Sequence, residues 1–276
     1  MSESLISESR VFESRPSDSR ASETAGSSSV ATDDPQLAVD FDALEPAADN
    51  LAAAALSLAR RFAAGATMWC VAPSWPSHGR HVAVEFVHPV IMGKRALPAI
   101  SVDDNDLVGA LRVLVRPGDV LVAIGTADDP KLPPVLRRCE AWGLTSVWIG
   151  AGPRPPASAV DHVLWAQGTD VDAADRSGGI VLLYHLLWEL VHVVFEHPGL
   201  LTEPDAPVCT DEVCITCSDE GRMVEVVATG EDNLVLVLAQ GHREMVDATL
   251  VGAPAPGDLL LVHAGTAIAP LDEDRL

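Results

Sequence analysis

Gly118-Asp119-Val120-Leu121-Val122-Ala123-Ile124-Gly125 is an apolar run of strand length near the middle of the chain, and the polar loop Thr126-Ala127-Asp128-Asp129-Pro130 follows it. On both sides, short apolar runs alternate with longer segments of helical periodicity. Strands that alternate with helices need crossover connections, which predicts a parallel sheet covered on both faces. We therefore expect a three-layer α/β domain around this run.

The alternation accounts for residues 46–199, which we expect to form the larger domain. Its strand-length runs lie at 67–72, 97–102, 118–125, 146–150 and 161–165. Segments of helical spacing lie at 46–64, around His81 and Glu85, and at 104–115, 131–142 and 176–196. The last of these is almost wholly apolar, so we expect it to be buried against the sheet.

Beyond a linker at 200–212, the chain changes to short strands without room for crossover helices. Strand-length runs occur at 222–227, 234–238, 243–247 and 259–263. The segments between them are rich in glycine, proline, aspartate and asparagine, which form turns. This spacing predicts a small, all-β, antiparallel barrel of the OB-like kind over residues 213–276.

The composition restricts the partners and the compartment. With 18 Lys and Arg against 40 Asp and Glu, the formal net charge is −22, which repels phosphate backbones and anionic membrane surfaces. We therefore expect no nucleic-acid partner and no membrane partner. Residues 1–45 are serine-rich, acidic and poor in large apolar side chains, which predicts a disordered tail. Neither a transmembrane run nor a signal-peptide pattern is present, so the expected location is the cytoplasm.

The cysteines do not form a disulfide pattern, because there are 5 of them and three crowd together before the barrel. Those three are Cys209, Cys214 and Cys217, of which the last two stand at C-x-x-C spacing. A zinc site built on them would need a fourth ligand. A redox pair would normally open a helix in a thioredoxin-like fold.

The larger domain contains a characteristic phrase and a characteristic helix. The phrase is Gly93-Lys94-Arg95-Ala96-Leu97-Pro98-Ala99-Ile100, and the helix places His81 and Glu85 four residues apart on one face. With the strand pattern, they resemble the phosphoheptose isomerase branch of the sugar isomerase (SIS) domain family over residues 46–197. The resemblance implies a three-layer αβα domain that associates into homo-oligomers.

The same resemblance implies roles for particular side chains. His81, Glu85 and His185 would lie at the sugar site and could bind zinc. Glu85 and His185 would be the catalytic acid–base pair if the domain is an isomerase. Isomerisation moves a proton between adjacent carbons, and a carboxylate and an imidazole can serve as the acid and the base.

Ser74, Ser77 and Thr126 are the hydroxyl-bearing residues of the loops that would surround a sugar phosphate. Asp128 and Asp129 add two carboxylates where the family has glycines and hydroxyls. At a surface-like effective dielectric, like charges about 4 Å apart repel by on the order of 4 kcal/mol. We therefore expect a relic or repurposed binding pocket, and the less favoured interpretations are residual isomerase activity and a purely structural scaffold.

The C-terminal segment contains a strand and a closing phrase typical of another family. They are Arg222-Met223-Val224-Glu225-Val226 and Gly257-Asp258-Leu259-Leu260-Leu261-Val262-His263-Ala264-Gly265-Thr266-Ala267-Ile268. They resemble the HypC/HupF family of NiFe-hydrogenase assembly chaperones over residues 213–275. The resemblance implies that a leading cysteine, with a HypD-type partner, carries the Fe(CN)2CO moiety to the hydrogenase large subunit.

Position makes Cys214 the expected iron ligand, with Cys217 as a second or alternative thiol and His263 nearby. A thiolate is a soft donor that suits low-spin iron and can exchange between proteins. The leading hypothesis is therefore a hydrogenase-maturation chaperone rather than an enzyme. Two alternatives remain: an active SIS-type sugar-phosphate isomerase with a regulatory barrel, and a zinc-binding interaction module.

Overall fold

The computed structural model of the chain describes residues 46–166, 178–202 and 221–271. They form a parallel sheet with helices on both faces, followed by a closed barrel of β-strands. The expected tail at 1–45, residues 203–212 of the expected linker, and the cysteines at positions 209, 214 and 217 lie outside the described residues.

The larger domain is built on a sheet of five parallel strands. They are β1 (Met68–Val71), β2 (Ala99–Val102), β3 (Val120–Ile124), β4 (Thr145–Ala151) and β5 (His162–Ala166), in the spatial order β2-β1-β3-β4-β5. The apolar run that starts at Gly118 becomes β3, which lies at the centre of the sheet with every residue buried. The expected parallel α/β architecture is confirmed, because such apolar strands need cover on both faces.

Helices form the two outer layers. The described residues contain α1 (Ala48–Ala63), α2 (Pro76–Val87), α3 (Leu107–Leu114), α4 (Leu132–Leu136), α5 (Cys139–Trp142) and α6 (Gly178–Glu196). Successive strand residues point to opposite faces of a sheet. Met68 and Cys70 therefore join the core formed with α1, α2 and α6, whereas Trp69 and Val71 join the core formed with α3, α4 and α5.

The helix predicted over 131–142 is wrong in its continuity, because Arg137 and Arg138 separate α4 from α5. In a continuous helix, the carbonyl of Pro134 would accept a hydrogen bond from the backbone N–H of Arg138. Here the Arg138 side chain donates to that carbonyl (Nη1–O 2.7 Å), and the backbone N–H donates to Val135 instead. The side chain thus competes with the backbone for the acceptor that would continue the helix.

Helix α6 is the apolar helix of the sequence and packs against α1 and the sheet. It buries Leu183, Tyr184, Leu187 and His192, among others. By length and composition alone it could also cross a membrane, since its mean hydropathy over 18 residues is 1.7. In the structure, 44% of that 18-residue stretch is buried inside the protein. Core helices have the same composition, so this is weak evidence for a membrane span.

The smaller domain is a closed barrel filled by its own side chains. Its strands are β6 (Arg222–Thr229), β7 (Leu234–Ala239), β8 (His242–Asp247), β9 (Leu259–His263) and β10 (Thr266–Leu271). They follow one another in the order β10-β8-β7-β6-β9, and β9 pairs back with β10. Side chains that face the inside of the barrel alternate along the strands, as Val224 and Val226 do on β6, and form its core.

The wholly antiparallel arrangement predicted for the barrel is wrong at one junction. Strands β8 and β10 run parallel, with Asp247 opposite Thr266. The reason is geometric, because five strands in a closed ring cannot alternate in direction all the way round. The four runs predicted from the sequence did not include β10, and with four strands the conflict does not arise.

Candidate functional site

Helices α2 and α6 bring His81, Glu85 and His185 together, and we call these residues the His-Glu-His cluster. On α2, Nε2 of His81 lies 3.2 Å from Oε1 of Glu85. Nε2 of His185, on α6, lies 3.6 Å from the same oxygen. One ligand atom from each residue lies within 4.8 Å of the others. The side chains of both histidines are about two-fifths exposed, so the cluster is open to solvent.

Two further residues, which sequence reasoning missed, support this cluster. The buried Tyr184 hydroxyl lies 2.8 Å from Nδ1 of His81 and 3.4 Å from Nδ1 of His78. Burial, followed by the charge of Glu85, raises the pKa of Tyr184, so the phenol keeps its proton. A hydroxyl can donate or accept, and it therefore orients the His81 ring in either tautomer. Two features of the sequence could have identified these residues: Tyr184 directly precedes His185, and His78 lies one helical turn before His81.

The cluster fits a zinc ion, the metal that the SIS resemblance implies. Two imidazoles and a carboxylate form a donor set that zinc uses at open sites with three protein ligands. Nε2 of His185 is buried and has no hydrogen-bond partner among the described residues, although buried polar atoms are normally paired. A cation would satisfy this nitrogen, while Tyr184 would orient the imidazole of His81 from behind.

The hydroxyls expected at the sugar-phosphate pocket do not form an open anion site. Ser74 follows β1, and its Oγ donates to Oδ2 of Asp129 at 2.7 Å. Asp129 is buried in the loop after β3 and also accepts from the backbone N–H of Lys131 at 3.0 Å. Thr126 is buried in the same loop, whereas Ser77 is exposed in the first turn of α2. A phosphate that approached Ser74 would therefore meet a carboxylate.

His263 ends β9 beside the point where the described part of the barrel begins. Arg222 pairs with Val262 in the antiparallel ladder of β6 and β9, which places His263 opposite Gly221. Its side chain is half-buried. Cys214 and Cys217 precede Gly221 and lie outside the described residues. His263 is thus placed next to the point where the cysteine segment enters the barrel.

Sequence reasoning also missed a buried carboxylate, that of Glu225 on β6, whose side chain is 3% exposed. Its Oε1 accepts from Nε of Arg138 at 3.2 Å and from Arg112, and its Oε2 accepts from the Trp142 indole N–H at 2.6 Å. These donors lie on α3, on α5 and between α4 and α5. Glu225 therefore ties the barrel to the larger domain, and a carboxylate within an apolar strand was the available signal.

Backbone contacts complete this interface between the barrel and α3 to α5, which we call the seam. Gly241 donates its N–H to the carbonyl of Ala141 at 2.8 Å, and Nη2 of Arg138 donates to the carbonyl of Gly257 at 2.9 Å. A Cβ at position 241 would lie 2.3 Å from Cγ of Pro117, and φ there is +78°. The close approach of the two domains therefore requires glycine at this position.

The two domains resemble two different classes of protein. The model of the HupF/HypC family matches residues 221–276, a range that includes every strand of the barrel. The resemblance expected for this part of the chain is thereby confirmed. It supports, at the level of the family, a role in hydrogenase maturation. The match begins after Cys214 and Cys217.

The larger domain is similar to a phosphoheptose isomerase of Nitratidesulfovibrio vulgaris, with 28% identity over 174 residues that cover 54% of this chain and 80% of that protein. This confirms the SIS-like resemblance. Solved phosphoheptose isomerases of Francisella tularensis and Neisseria gonorrhoeae align with TM-scores of 0.45 and 0.44 at 15% and 14% identity. Each alignment covers 55% of this chain, and they cover 88% and 89% of those structures. Structural likenesses of this degree carry no information about activity.

Proposed function

We propose that this chain is an assembly chaperone for NiFe hydrogenase, in which the barrel and the preceding cysteine segment carry the Fe(CN)2CO moiety. The observation that supports the proposal is the HupF/HypC family match, which spans a complete closed barrel rather than a fragment of one. The proposed partners are a HypD-type protein and the hydrogenase large subunit, with self-association through the larger domain. The proposed location is the cytoplasm, because a reducing compartment keeps the thiols free.

The covalent chain limits the distance between the thiols and His263. An extended chain spans at most about 3.6 Å per residue, so Cys217 lies within roughly 14 Å of Gly221 and Cys214 within roughly 25 Å. Gly221 is opposite His263 in the ladder of β6 and β9. Iron held by either thiolate is therefore within reach of the imidazole.

Delivery of the iron needs ligand exchange at the metal. A thiolate donates strongly to low-spin iron and can still be exchanged. The Fe–S bond to the chaperone breaks as a thiolate of the large subunit forms its own bond. The seam and His263 lie at opposite ends of strand β9. Glu225, a seam residue, pairs with Leu259 at the start of β9, whereas His263 is the last residue of that strand. The partners therefore approach the barrel at the His263 end.

Separate substitution of the thiols tests the proposal. We expect Cys214→Ala to abolish hydrogenase maturation in a strain that lacks the native gene, and Cys217→Ala to do the same if both sulfurs bind iron. Cys209→Ala, a thiol of the same segment, is the matched control and should mature the hydrogenase normally. Infrared bands of cyanide and carbon monoxide on the purified complex with the HypD-type protein provide a second readout. Normal maturation and intact bands in the double variant Cys214→Ala/Cys217→Ala would contradict the proposal.

A second candidate function is sugar-phosphate isomerisation, which the geometry of the His-Glu-His cluster favours. In this candidate, Glu85 would move a proton between adjacent carbons and His185 would exchange a proton with the neighbouring oxygen, which the 3.6 Å between their side chains supports. Zinc, when bound there, would polarise the substrate carbonyl. The Asp129 carboxylate beside Ser74 opposes this function, because it would repel the substrate phosphate.

Turnover of a panel of aldose and ketose phosphates tests the second candidate. Activity that is lost in both Glu85→Gln and His185→Ala would support it. His88→Ala is the control, since His88 is an exposed histidine just after α2. No turnover and no binding across the panel would remove this candidate and leave the chaperone proposal intact.

A further inference from the structure

The seam contains an open cavity of about 400 Å³ to which neither family resemblance assigns a role. Arg112 and Trp142 line it from the larger domain, and Glu225 and Arg243 line it from the barrel. Apolar side chains, among them Val115 and Leu238, complete the walls. Cavities between domains that combine apolar walls with a few convergent polar groups are frequent ligand sites.

The charged groups around this cavity are predominantly basic. Glu225 is the carboxylate in its lining, and both of its oxygens already accept hydrogen bonds from the protein. Against that single carboxylate, two guanidinium groups line the cavity, those of Arg112 and Arg243, and a third, that of Arg138, bonds to Glu225. A local excess of positive charge is unusual in a chain whose formal net charge is −22, and it favours an anionic ligand.

Arg243 is the least occupied of these arginines. It lies on β8 opposite Leu238 of β7 and is exposed, and its side chain makes no hydrogen bond or ion pair with any part of the chain that the structure describes. Arg112 uses Nη2 on Glu225, while its side chain remains 44% exposed. Guanidinium has five N–H donors in a planar fork, so Arg112 retains donors for a second acceptor.

Glycine at position 257 leaves room beside Arg112. A Cβ built on Gly257 would lie 3.8 Å from Nη2 of Arg112, and φ there is +98°, which disfavours other residues. A longer side chain at this position would extend toward the guanidinium group. The local backbone therefore keeps the arginine accessible from the cavity.

We propose that the seam cavity binds a small oxyanion, namely a phosphate or carboxylate group on a small organic molecule, between Arg112 and Arg243. Guanidinium groups bind both kinds of oxyanion through paired, charge-assisted hydrogen bonds. The apolar walls and the Trp142 ring accommodate the body of the ligand. Because the two arginines belong to different domains, the bound ligand also joins the barrel to the larger domain.

Calorimetric titration of the full chain with inorganic phosphate, at an ionic strength held constant with chloride, tests this site. We expect saturable binding that weakens about tenfold or more in Arg243→Gln, since a hydrogen bond to a charged group is lost. Arg154→Gln is the matched control, because Arg154 is an exposed arginine outside the cavity lining. It should leave the affinity unchanged. A parallel titration with citrate distinguishes a carboxylate ligand from a phosphate ligand.

Two results would overturn the proposal. The first is the absence of saturable binding of both phosphate and citrate to the wild-type chain. The second is equal affinity in the wild type and in Arg243→Gln, which would place the anion elsewhere, for example at the loops that carry Ser74 and Thr126. The Arg243 side chain has no hydrogen-bond or ion-pair partner among the described residues, so its substitution should not disturb folding, and thermal unfolding of the variant checks this.

Discussion

Asp129 and Glu225 are both buried carboxylates, but the two regions that contain them compensate the charge in different ways. Asp129, in the loop after β3, is held by neutral donors, the Ser74 hydroxyl and a backbone N–H. Glu225, at the seam, is held by two guanidinium groups and an indole N–H. Guanidinium donors bring a compensating positive charge to a carboxylate, which neutral donors do not. The seam therefore supplies cationic partners to its carboxylate, whereas the loop after β3 supplies none among the described residues.

This difference bears on the function of the larger domain. The SIS resemblance predicts a sugar-phosphate site that includes the loop after β3, but that loop carries the buried Asp129 carboxylate. Because function depends on sites rather than on folds, the SIS-like sheet is no argument for isomerase activity. The comparison predicts opposite consequences for the two carboxylates. Substituting Glu225 should cost stability, and substituting Asp129 should improve anion binding.

The largest effect is expected for Glu225→Gln. Removing the charge breaks the buried ion pair between Glu225 and Arg138, a loss that typically costs about 3 to 5 kcal/mol. We expect a loss of this size in the free energy of unfolding measured by urea denaturation. The seam should also become more susceptible to proteolysis, because the contacts that join the two domains weaken.

Glu244→Gln is the matched control for that measurement. Glu244 also pairs with an arginine, Arg222, at 3.0 Å, but both side chains are about one-third exposed. Exposed ion pairs contribute about 0 to 1 kcal/mol, so this variant should unfold almost like the wild type. Equal losses in Glu225→Gln and Glu244→Gln would show that the seam does not depend on the Glu225 cluster.

A smaller effect, of opposite sign, is expected for Asp129→Asn. The amide oxygen can still accept from the Ser74 hydroxyl, while the negative charge is removed. Relief of a like-charge repulsion of up to about 4 kcal/mol should raise the affinity for ribose 5-phosphate on the order of 100-fold. The measurement is best made in the Arg243→Gln background, so that the seam cavity does not contribute.

Asp128→Asn removes the same charge from an exposed neighbour in the same loop and serves as the control. It should raise the affinity far less, because solvent screens an exposed charge. If both variants bind the sugar phosphate equally weakly, the loop after β3 is not the anion site. The contrast between the two buried carboxylates would then have no functional meaning.

The sequence predicted those parts of the molecule that local patterns control. Apolar runs such as β3, alternating with helical segments, predicted the parallel sheet, and the spacing of His81 and Glu85 predicted their shared helix face. The break between α4 and α5 was missed because a side chain, that of Arg138, competes for a backbone acceptor. Strand β10 was missed because a short run containing Pro270 is a weak strand signal.

The parts that the sequence could not predict depend on contacts between distant residues. The orientation of Asp129 toward Ser74 joins loops 55 residues apart, and the bond between Trp142 and Glu225 joins positions 83 residues apart. No periodicity reports such pairs, because each depends on how complete elements pack. The same holds for the contact between Tyr184 and His81, which spans 103 residues.

Tyr184→Phe should have the smallest effect, and it extends the comparison to a neutral hydrogen bond that supports a metal-binding group. Loss of the hydroxyl removes the 2.8 Å contact that orients the His81 ring. Losing a partner of this kind typically lowers metal affinity about 10- to 100-fold, so we expect about tenfold weaker zinc binding in competition with a chelator. His81→Ala should abolish this binding, and His88→Ala should leave it unchanged. Equal zinc affinity in Tyr184→Phe and the wild type would show that α2 alone orients the His81 imidazole. Unchanged affinity in His81→Ala as well would show that the metal binds outside the His-Glu-His cluster.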